Sequence, residues 1–187
     1  MTDFRKFTLP YTPHEEYSTS VAYFSMEFAI DQSFKIYSGG LGFLAGSHMR
    51  SAWKLRQNLV GIGILWKYGY YDQARNRDQT LQVTWTEKLY NFLEDTGIRF
   101  QIELHRSPVW VKAFYLRPGV FGTAPMFFLS TDVPENDYLA QTTCHYLYDP
   151  NPQTKLAQYI LLGKGGARLL DEMSLEREVY HLNEAHG

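Results

Sequence analysis

Four glycines lie close together in the stretch YSGGLGFLAG, at positions 39, 40, 42 and 46. A glycine inside a helix or strand costs about 0.5–1 kcal/mol relative to alanine, so this cluster indicates a special turn or a close approach of the backbone. Glycines between a buried strand and a helix let backbone N–H groups approach an anion, and the helix N-terminus adds positive potential. The backbone of Gly39, Gly40 and Gly42 is therefore a candidate for phosphate binding. The alternative is a strand-to-helix turn that is needed only for packing.

A second group of polar residues stands in YHLNEAHG (180–187). The first residues of this stretch predict a strand, so Asn183 and His186 would emerge at its carboxyl end, where open α/β sheets bind ligands. His181 and Glu184 are weaker candidates. Glu184 and His186 resemble a pair of metal ligands, but spacing places no third ligand, and we predict no metal site.

Two further reactive side chains have simpler explanations. Glu27 is a carboxylate in an apolar stretch, and burial would raise the pKa of a catalytic acid there. Buried charges are normally paired, so we favour an anchor for loop amides or for an arginine. Cys144 stands beside His145, but adjacency in sequence is not the geometry of a nucleophile and its base, and we do not expect catalysis there.

The elements that position these residues follow from hydrophobic patterning. Apolar runs at 21–28 and 58–66 predict strands buried on both faces, which is typical of parallel sheets. Between them, residues 41–56 carry apolar side chains at helical spacing. The first half therefore predicts a βαβ unit with a right-handed crossover.

The rest of the chain predicts more strands and one long helix. Turn signals at 95–97, 107–108 and 117–119 separate segments rich in β-formers, which we interpret as meander strands that extend the sheet or form a subsheet. A helix is predicted at 154–173, where Gly163, Gly165 and Gly166 would permit close packing against another backbone. A short strand begins at 178. The meander strands are predicted at 81–87, 98–105, 109–116 and 125–131.

Composition narrows the class of protein. The chain has 187 residues, which is enough for one domain with a core. Its net charge of −2 argues against nucleic acid or an anionic membrane as the main partner. Its single cysteine excludes an internal disulfide framework. The N-terminus lacks the apolar core of a signal peptide, and no apolar run reaches the roughly 18 residues of a membrane span. We expect a cytoplasmic globular protein.

Five blocks, taken together and in order, resemble a known family: VAYFSMEF, YSGGLGFLAG, VGIGILWKYGYYDQ, LSTDVPEN and YHLNEAHG. They are similar to the N-terminal part of α-glucan (glycogen) phosphorylases, particularly the shorter bacterial and archaeal kind. The resemblance covers about residues 20–187. One GGLG motif alone would be weak support, whereas five ordered blocks are strong support.

The resemblance implies phosphorolysis of the terminal α-1,4-linked glucose of a glucan, which releases α-glucose 1-phosphate. It also implies a Rossmann-like N-terminal domain within a glycosyltransferase B fold of two domains, with pyridoxal phosphate as the cofactor. By the same resemblance, Gly40, Leu41 and Gly42 lie against glucose and phosphate, and His186 lines the glucose subsite. The expected partners are α-1,4-glucan and phosphate.

Pro10, Pro13 and several polar residues interrupt any periodic pattern in residues 1–19, which we interpret as an N-terminal arm. The resemblance implies that residues 20–187 form an incomplete Rossmann-like domain, and we expect the C-terminal domain, which carries the Schiff-base lysine in the family, to be absent from this chain. None of the eight lysines stands in a matching context. We therefore expect that this chain alone neither binds pyridoxal phosphate covalently nor performs phosphorolysis.

Other residues and functions remain open. Tyr68, Tyr70 and Tyr71 would be core or cleft wall, and Asp132 and Asn136 are expected to fix a loop through Asx-type bonds.

The alternative enzyme is a segment of a glucan synthase-like glycosyltransferase. The non-enzymatic alternative is a glucan-binding or assembly module. Exposed sheet edges predict self-association, and hence a homo-oligomer.

Overall fold

The computed structural model describes residues 3–184, which fold into a mixed α/β domain. No helix within these residues has both the length and the apolar character needed to cross a bilayer. In chain order, the elements are β1 (Val21–Phe24), α1 (Gly40–Lys54), β2 (Leu59–Ile64), β3 (Asp72–Arg75), β4 (Leu81–Thr84), β5 (Glu94–Leu104), β6 (Ser107–Leu116), α2 (Pro118–Phe121), β7 (Met126–Ser130), α3 (Tyr138–Thr142), α4 (Pro152–Ile160), α5 (Gly166–Glu172) and β8 (Val179–Leu182).

Six strands form one sheet in the order β5-β6-β7-β2-β1-β8. The strands β7, β2, β1 and β8 run parallel, with Val21 of β1 paired to Leu59 on one side and to Val179 on the other. The predicted βαβ unit is therefore confirmed in connectivity, and the hand of its crossover stays a prediction. The strand β1 ends at Phe24 rather than at residue 28, because Ser25 turns the chain by donating a hydrogen bond to the Glu27 carbonyl oxygen at 2.9 Å.

Helices cover both faces of the central strands. Neighbouring residues of a strand point to opposite faces. A Cβ atom added to Gly61 would lie 2.9 Å from Met49 Sδ of α1. The next residue, Ile62, faces α5 on the other side of the sheet. A Cβ atom added to Gly166 of α5 would lie 2.8 Å from the Cγ2 atom of Ile62. The core therefore lies in two layers, and β2 is buried along its whole length.

The predicted helix at 154–173 is interrupted at its glycines. A π-helical turn (Leu161–Gly165) joins α4 to α5. The expectation that these glycines pack against another backbone is wrong for Gly165 and Gly166, and it stays a prediction for Gly163. The atoms nearest to a Cβ added at Gly165 or Gly166 are side-chain atoms, those of Leu129 and Phe24 among them. The helix can approach the sheet closely because these two positions carry no side chain.

Both alternatives predicted for the meander strands occur, and one predicted turn is wrong. The strands β5, β6 and β7 extend the main sheet, whereas β4, within the segment 81–87, pairs with β3 in a separate antiparallel subsheet. The turn before β6 is not at Ser107–Pro108, which belong to the strand, but at His105 and Arg106, whose φ angles are 51° and 64°. Positive φ at two successive residues is the geometry of a type I′ hairpin turn, which composition alone did not indicate.

Residues 3–20, which precede β1, contain two short 3₁₀ turns, Phe4–Lys6 and Glu15–Tyr17. It nevertheless contributes to the core, because Phe4 and Phe7 are buried. The ring of Phe7 lies 5.0 Å from that of Phe127 and 5.6 Å from that of Tyr115. At the other end, β8 forms an exposed edge of the sheet, and the self-association expected from this edge stays a prediction.

Stacked rings between α1, β1 and β8 should make stability depend on pH. His48 stacks on Tyr23 at 4.8 Å, and Tyr23 stacks on His181 at 4.6 Å. Burial, and next the nearby His181, lower the pKa of His48 below its ordinary value of 6.5. A lowered histidine pKa gives stability that is present above the unfolded-state pKa and is lost as the pH falls through the folded-state pKa.

We therefore expect the free energy of unfolding to decrease between about pH 7.5 and about pH 5.5, and less so in His48→Gln. Urea unfolding at several pH values measures this slope. The pKa of His145 is also lowered, first by burial, so the variant should retain part of the decrease. An unchanged slope in His48→Gln would contradict the prediction.

Candidate functional site

The candidate site lies at the carboxyl edge of the parallel strands. Glu27 follows β1, Lys67 follows β2, Asp132 follows β7 and Asn183 follows β8. Because all four strands run in the same direction, these residues share one edge of the sheet. The glycine-rich segment meets the same edge, since α1 begins at Gly40.

Glu27 is a buried anchor for the glycine-rich loop. Its side chain is 2% exposed. One carboxylate oxygen accepts the backbone N–H groups of Ser38 at 2.5 Å and of Gly39 at 3.2 Å. The other accepts the Tyr148 hydroxyl at 2.6 Å, and burial together with this bond raises the pKa of Tyr148. The favoured interpretation of Glu27, an anchor for loop amides, is confirmed.

Two of the four loop glycines are required for packing. A Cβ atom added to Gly42 would lie 2.8 Å from a Glu27 carboxylate oxygen and 2.7 Å from Tyr37 Cβ. One added to Gly46 would lie 2.7 Å from the carbonyl carbon of Ala29. These two glycines therefore let α1 rest directly on Glu27 and on the backbone after β1.

The other two glycines have no such explanation within the described residues. A Cβ atom added to Gly39 or Gly40 would meet nothing within 4 Å. The φ angle of Gly39 is −160°, an extended value open to any residue. Space beside these two positions is therefore open to a ligand.

The start of α1 offers free hydrogen-bond donors. The first intrahelical bond runs from the Phe43 N–H to the Gly39 carbonyl oxygen. Within residues 3–184, the N–H groups of Gly40, Leu41 and Gly42 have no acceptor, and no side chain caps the helix. Three unpaired N–H groups at the positive end of a helix of 15 residues can bind an anionic oxygen.

Asn183 is held at the same edge. It is 6% exposed, and its side-chain amide donates to the Ser25 hydroxyl at 3.2 Å. Ser25 in turn donates to the Glu27 carbonyl oxygen, so Asn183 connects the end of β8 to the loop that carries Glu27. His186 lies outside the described residues, and its role at the glucose subsite stays a prediction, as does ligand contact by Asn183.

The remaining candidates have structural roles. The Asn136 side chain donates to the carbonyl oxygens of Trp110 and Thr131, each at 2.8 Å, and therefore fixes its loop as expected. Asp132 instead forms an ion pair with Lys67 at 2.9 Å, which differs from the expected Asx-type bond. Cys144 is fully buried.

Two lysines, Lys67 and Lys88, do not suit a Schiff base with pyridoxal phosphate. An amine that forms a Schiff base needs a lowered pKa. Lys67 and Lys88 line a cleft, but each is paired with a carboxylate, and the bond to Asp132 raises the pKa of Lys67. Residues 3–184 contain no group of three metal-ligating side chains placed to hold an ion.

Sequence patterns did not reveal one residue of the site, Tyr148. It bonds to Glu27 across 121 positions of the chain. No local motif marks such a partner, because the contact forms only when the segment after α3 returns to the sheet edge. Ser38, by contrast, stands directly beside the glycine cluster and could have been included as a helix-start residue.

A sheet whose parallel strands end beside a glycine-rich helix N-terminus is that of an α/β domain. No protein-family model matches the chain. A maltodextrin phosphorylase of Thermococcus litoralis is 35% identical in an alignment of 183 positions that covers 94% of this chain and 22% of that protein. A glycogen phosphorylase of Mycobacterium tuberculosis is 32% identical in an alignment of 185 positions that covers 90% of this chain and 21% of that protein.

An uncharacterized protein of Methanocaldococcus jannaschii is 50% identical over 165 residues, which cover 88% of this chain and 32% of that protein. The chain is therefore homologous to part of the α-glucan phosphorylases, and the resemblance predicted from its motifs is confirmed. It spans about a fifth to a third of the length of these relatives.

Proposed function

We propose that this chain forms the glucose- and phosphate-facing part of an α-glucan phosphorylase with a glycosyltransferase B arrangement. The reaction would be phosphorolysis of terminal α-1,4-linked glucose to α-glucose 1-phosphate. One observation carries the proposal: the free N–H groups of Gly40, Leu41 and Gly42 adjoin open space beside Gly39 and Gly40. The relation to a maltodextrin phosphorylase suggests which ligand fills that space.

The contribution of these groups is electrostatic. Backbone donors that are already fixed stabilise a phosphate without the entropic cost of ordering a flexible side chain. Glu27 holds two neighbouring N–H groups and thereby sets the direction of the loop. Gly42 allows that carboxylate to lie under the helix start. The loop is therefore preorganised by buried contacts before a ligand arrives.

The cofactor and the complete reaction need residues beyond those described. Lys67 and Lys88 are held in ion pairs with carboxylates. We propose that this chain alone neither binds pyridoxal phosphate covalently nor performs phosphorolysis. In the proposed assembly, other residues would hold the cofactor, while this chain binds and orients the sugar phosphate. A cytoplasmic location stays a prediction.

Gly40→Val should weaken ligand binding while leaving the stability of the fold almost unchanged. Its side chain would enter the open space, so we expect the free energy of unfolding to stay within about 1 kcal/mol of the parent, while α-glucose 1-phosphate binding weakens at least about tenfold. In ¹H–¹⁵N spectra, the sugar phosphate should shift the amide signals of residues 39–42 in the parent and not in the variant.

Gly119→Ala, a glycine with equally open surroundings in α2, serves as the matched control and should keep parental binding. Unchanged amide signals of residues 39–42 at high millimolar α-glucose 1-phosphate would contradict the proposal. Shifts caused only by a nucleoside diphosphate sugar would favour the glucan synthase-like alternative.

A further inference from the structure

The segment that leads to Tyr148 is held against the end of β2. Residues 144–147 run beside residues 67–69, and Tyr146 forms a parallel bridge with Gly69. Backbone hydrogen bonds join the two stretches, from the N–H groups of Lys67, Tyr68 and Leu147 to the carbonyl oxygens of Cys144, His145 and Gly69 at 2.9, 2.9 and 3.0 Å. The backbone before Tyr148 is therefore fixed to the continuation of a buried strand.

Gln158 of α4 holds the same segment. It is fully buried, and its side-chain amide donates to the carbonyl oxygens of Thr143 at 3.1 Å and of Tyr146 at 2.9 Å. Buried carbonyl groups that lost this donor would be left unpaired, which is costly away from water. We call residues 143–147 the braced segment, because both α4 and the end of β2 fix it before the chain reaches Tyr148.

Tyr148 has a strained backbone conformation. Its φ angle is 60°, in the left-handed region that bulky residues adopt only as exceptions. Such a conformation persists where the surrounding structure enforces it, and it is frequent at functional sites. Here the braced segment enforces it, and the Tyr148 hydroxyl lies 2.6 Å from a Glu27 carboxylate oxygen. The strained turn therefore places a donor on the buried carboxylate of the candidate site.

Tyr148 donates to Glu27 from outside the glycine-rich loop. Among residues 3–184, the other donors to this carboxylate are the N–H groups of Ser38 and Gly39 and the Ser38 hydroxyl. Those donors move with the loop, whereas Tyr148 is fixed to the sheet through the braced segment. The bond from the Tyr148 hydroxyl therefore orients the carboxylate independently of the loop.

The orientation of Glu27 determines where the free donors point. The carboxylate accepts the N–H groups of Ser38 and Gly39, and the free N–H groups begin at the next residue, Gly40. Because neighbouring peptide groups share one backbone, a rotation of the carboxylate would turn the Gly40 N–H as well. The pKa of Tyr148 is raised, first by burial and next by the bond to Glu27. The hydroxyl therefore keeps its proton and donates at neutral pH.

We propose that Tyr148 is a positioning residue of the candidate site: through Glu27, it fixes the direction of the free N–H groups at the start of α1. Tyr148 acts without touching the ligand. That the ligand is a sugar phosphate rests on the proposed function. The role of Tyr148 rests on the braced segment, the strained turn and the bond to Glu27. A loop that is fixed in this way binds without a further cost of ordering.

Tyr148→Phe in the full 187-residue chain tests the proposal, because it removes the hydroxyl and keeps the ring. Without a ligand, hydrogen exchange of the Ser38 and Gly39 amides, followed in ¹H–¹⁵N spectra, should become about tenfold faster. Binding of α-glucose 1-phosphate should weaken about fivefold. Parental exchange rates of both amides in the variant would overturn the proposal.

Tyr11→Phe is the matched control. It removes a hydroxyl bond of similar length, 2.7 Å to the Gln57 carbonyl oxygen, just before β2 at the opposite edge of the sheet. Its loss of stability should be similar to that of Tyr148→Phe, while amide exchange at residues 38 and 39 and the affinity for α-glucose 1-phosphate should stay parental. Equal effects of the two variants on these amides would assign the change to global stability and overturn the proposal.

A double-mutant cycle tests whether Tyr148 acts through Glu27. In the Glu27→Gln background, adding Tyr148→Phe should change the exchange of the Ser38 amide by less than about twofold, because the oriented carboxylate is already gone. An acceleration of about tenfold in this background, equal to that in the parent, would show that Tyr148 acts by another route and overturn the positioning role.

The outcomes separate this proposal from the proposed function. α-Glucose 1-phosphate that leaves the amide signals of residues 39–42 unchanged in the parent, while Tyr148→Phe still accelerates exchange at Ser38 and Gly39, would overturn the proposed function alone. Binding of α-glucose 1-phosphate at residues 39–42 of the parent, together with parental exchange and affinity in Tyr148→Phe, would overturn the positioning role alone.

Discussion

Replacing Glu27 by alanine should lower the free energy of unfolding by about 3 kcal/mol or more, because the variant leaves four partly buried donors without their acceptor. The carboxylate accepts the N–H groups of Ser38 and Gly39, the Ser38 hydroxyl and the Tyr148 hydroxyl. Each unsatisfied buried donor costs about 1–3 kcal/mol. Urea unfolding followed by circular dichroism measures the loss.

Two variants make this result specific. Glu103→Ala removes an exposed carboxylate from β5 and should change the stability by less than about 0.5 kcal/mol. Glu27→Gln retains the size of the side chain but turns an NH₂ group toward donors, so it should also destabilise, by less than alanine does. If Glu27→Ala fails to fold, Glu27→Gln still gives a measurable value. A loss below about 1 kcal/mol for Glu27→Ala would show that the loop does not depend on this anchor.

Gly46→Ala should destabilise the domain by about 3 kcal/mol or more, although alanine is the better helix former by about 1 kcal/mol. The added Cβ atom would lie far inside van der Waals contact of the Ala29 carbonyl group. That group is backbone, which cannot rotate away as a flexible side chain does, so α1 would have to move off the sheet. Thermal and urea unfolding of the purified variant measure the change.

Gly119→Ala is the matched control for this change. It places the same methyl group on a helix, in α2, where nothing lies within 4 Å. Here the change should be neutral or slightly stabilising. Equal effects of Gly46→Ala and Gly119→Ala would mean that the contact between α1 and Ala29 is not the cause.

Hydrophobic patterning predicted the parallel strands of the core because the pattern that marks each element lies within one short stretch of sequence. The apolar runs at 21–28 and 58–66, with a glycine-rich segment and an amphipathic helix between them, indicate a βαβ unit directly. The strand β3 was missed because its sequence DQAR is polar, so no apolar alternation marks it. Hairpin pairing with β4, rather than burial, forms this strand.

The position of the candidate site could also be predicted from the sequence. The different roles of the residues within the site could not. All four loop glycines look alike in sequence, but Gly42 and Gly46 meet neighbours that only the folded chain brings close. The bond between Tyr148 and Glu27 likewise depends on segments that meet across a long stretch of chain. Such contacts leave no periodic signal, so sequence patterns cannot identify them.

The place of β1 in the sheet has a consequence for the order of folding. Its partner β2 is synthesised directly after α1, whereas β8 lies across 158 positions, as the bond between Ser20 and Glu178 shows. Closing such a long loop is slow compared with local pairing. During synthesis, the contacts of β1 with α1 and β2 therefore form early, and Asn183 reaches the carboxyl edge of the sheet only when β8 docks beside β1.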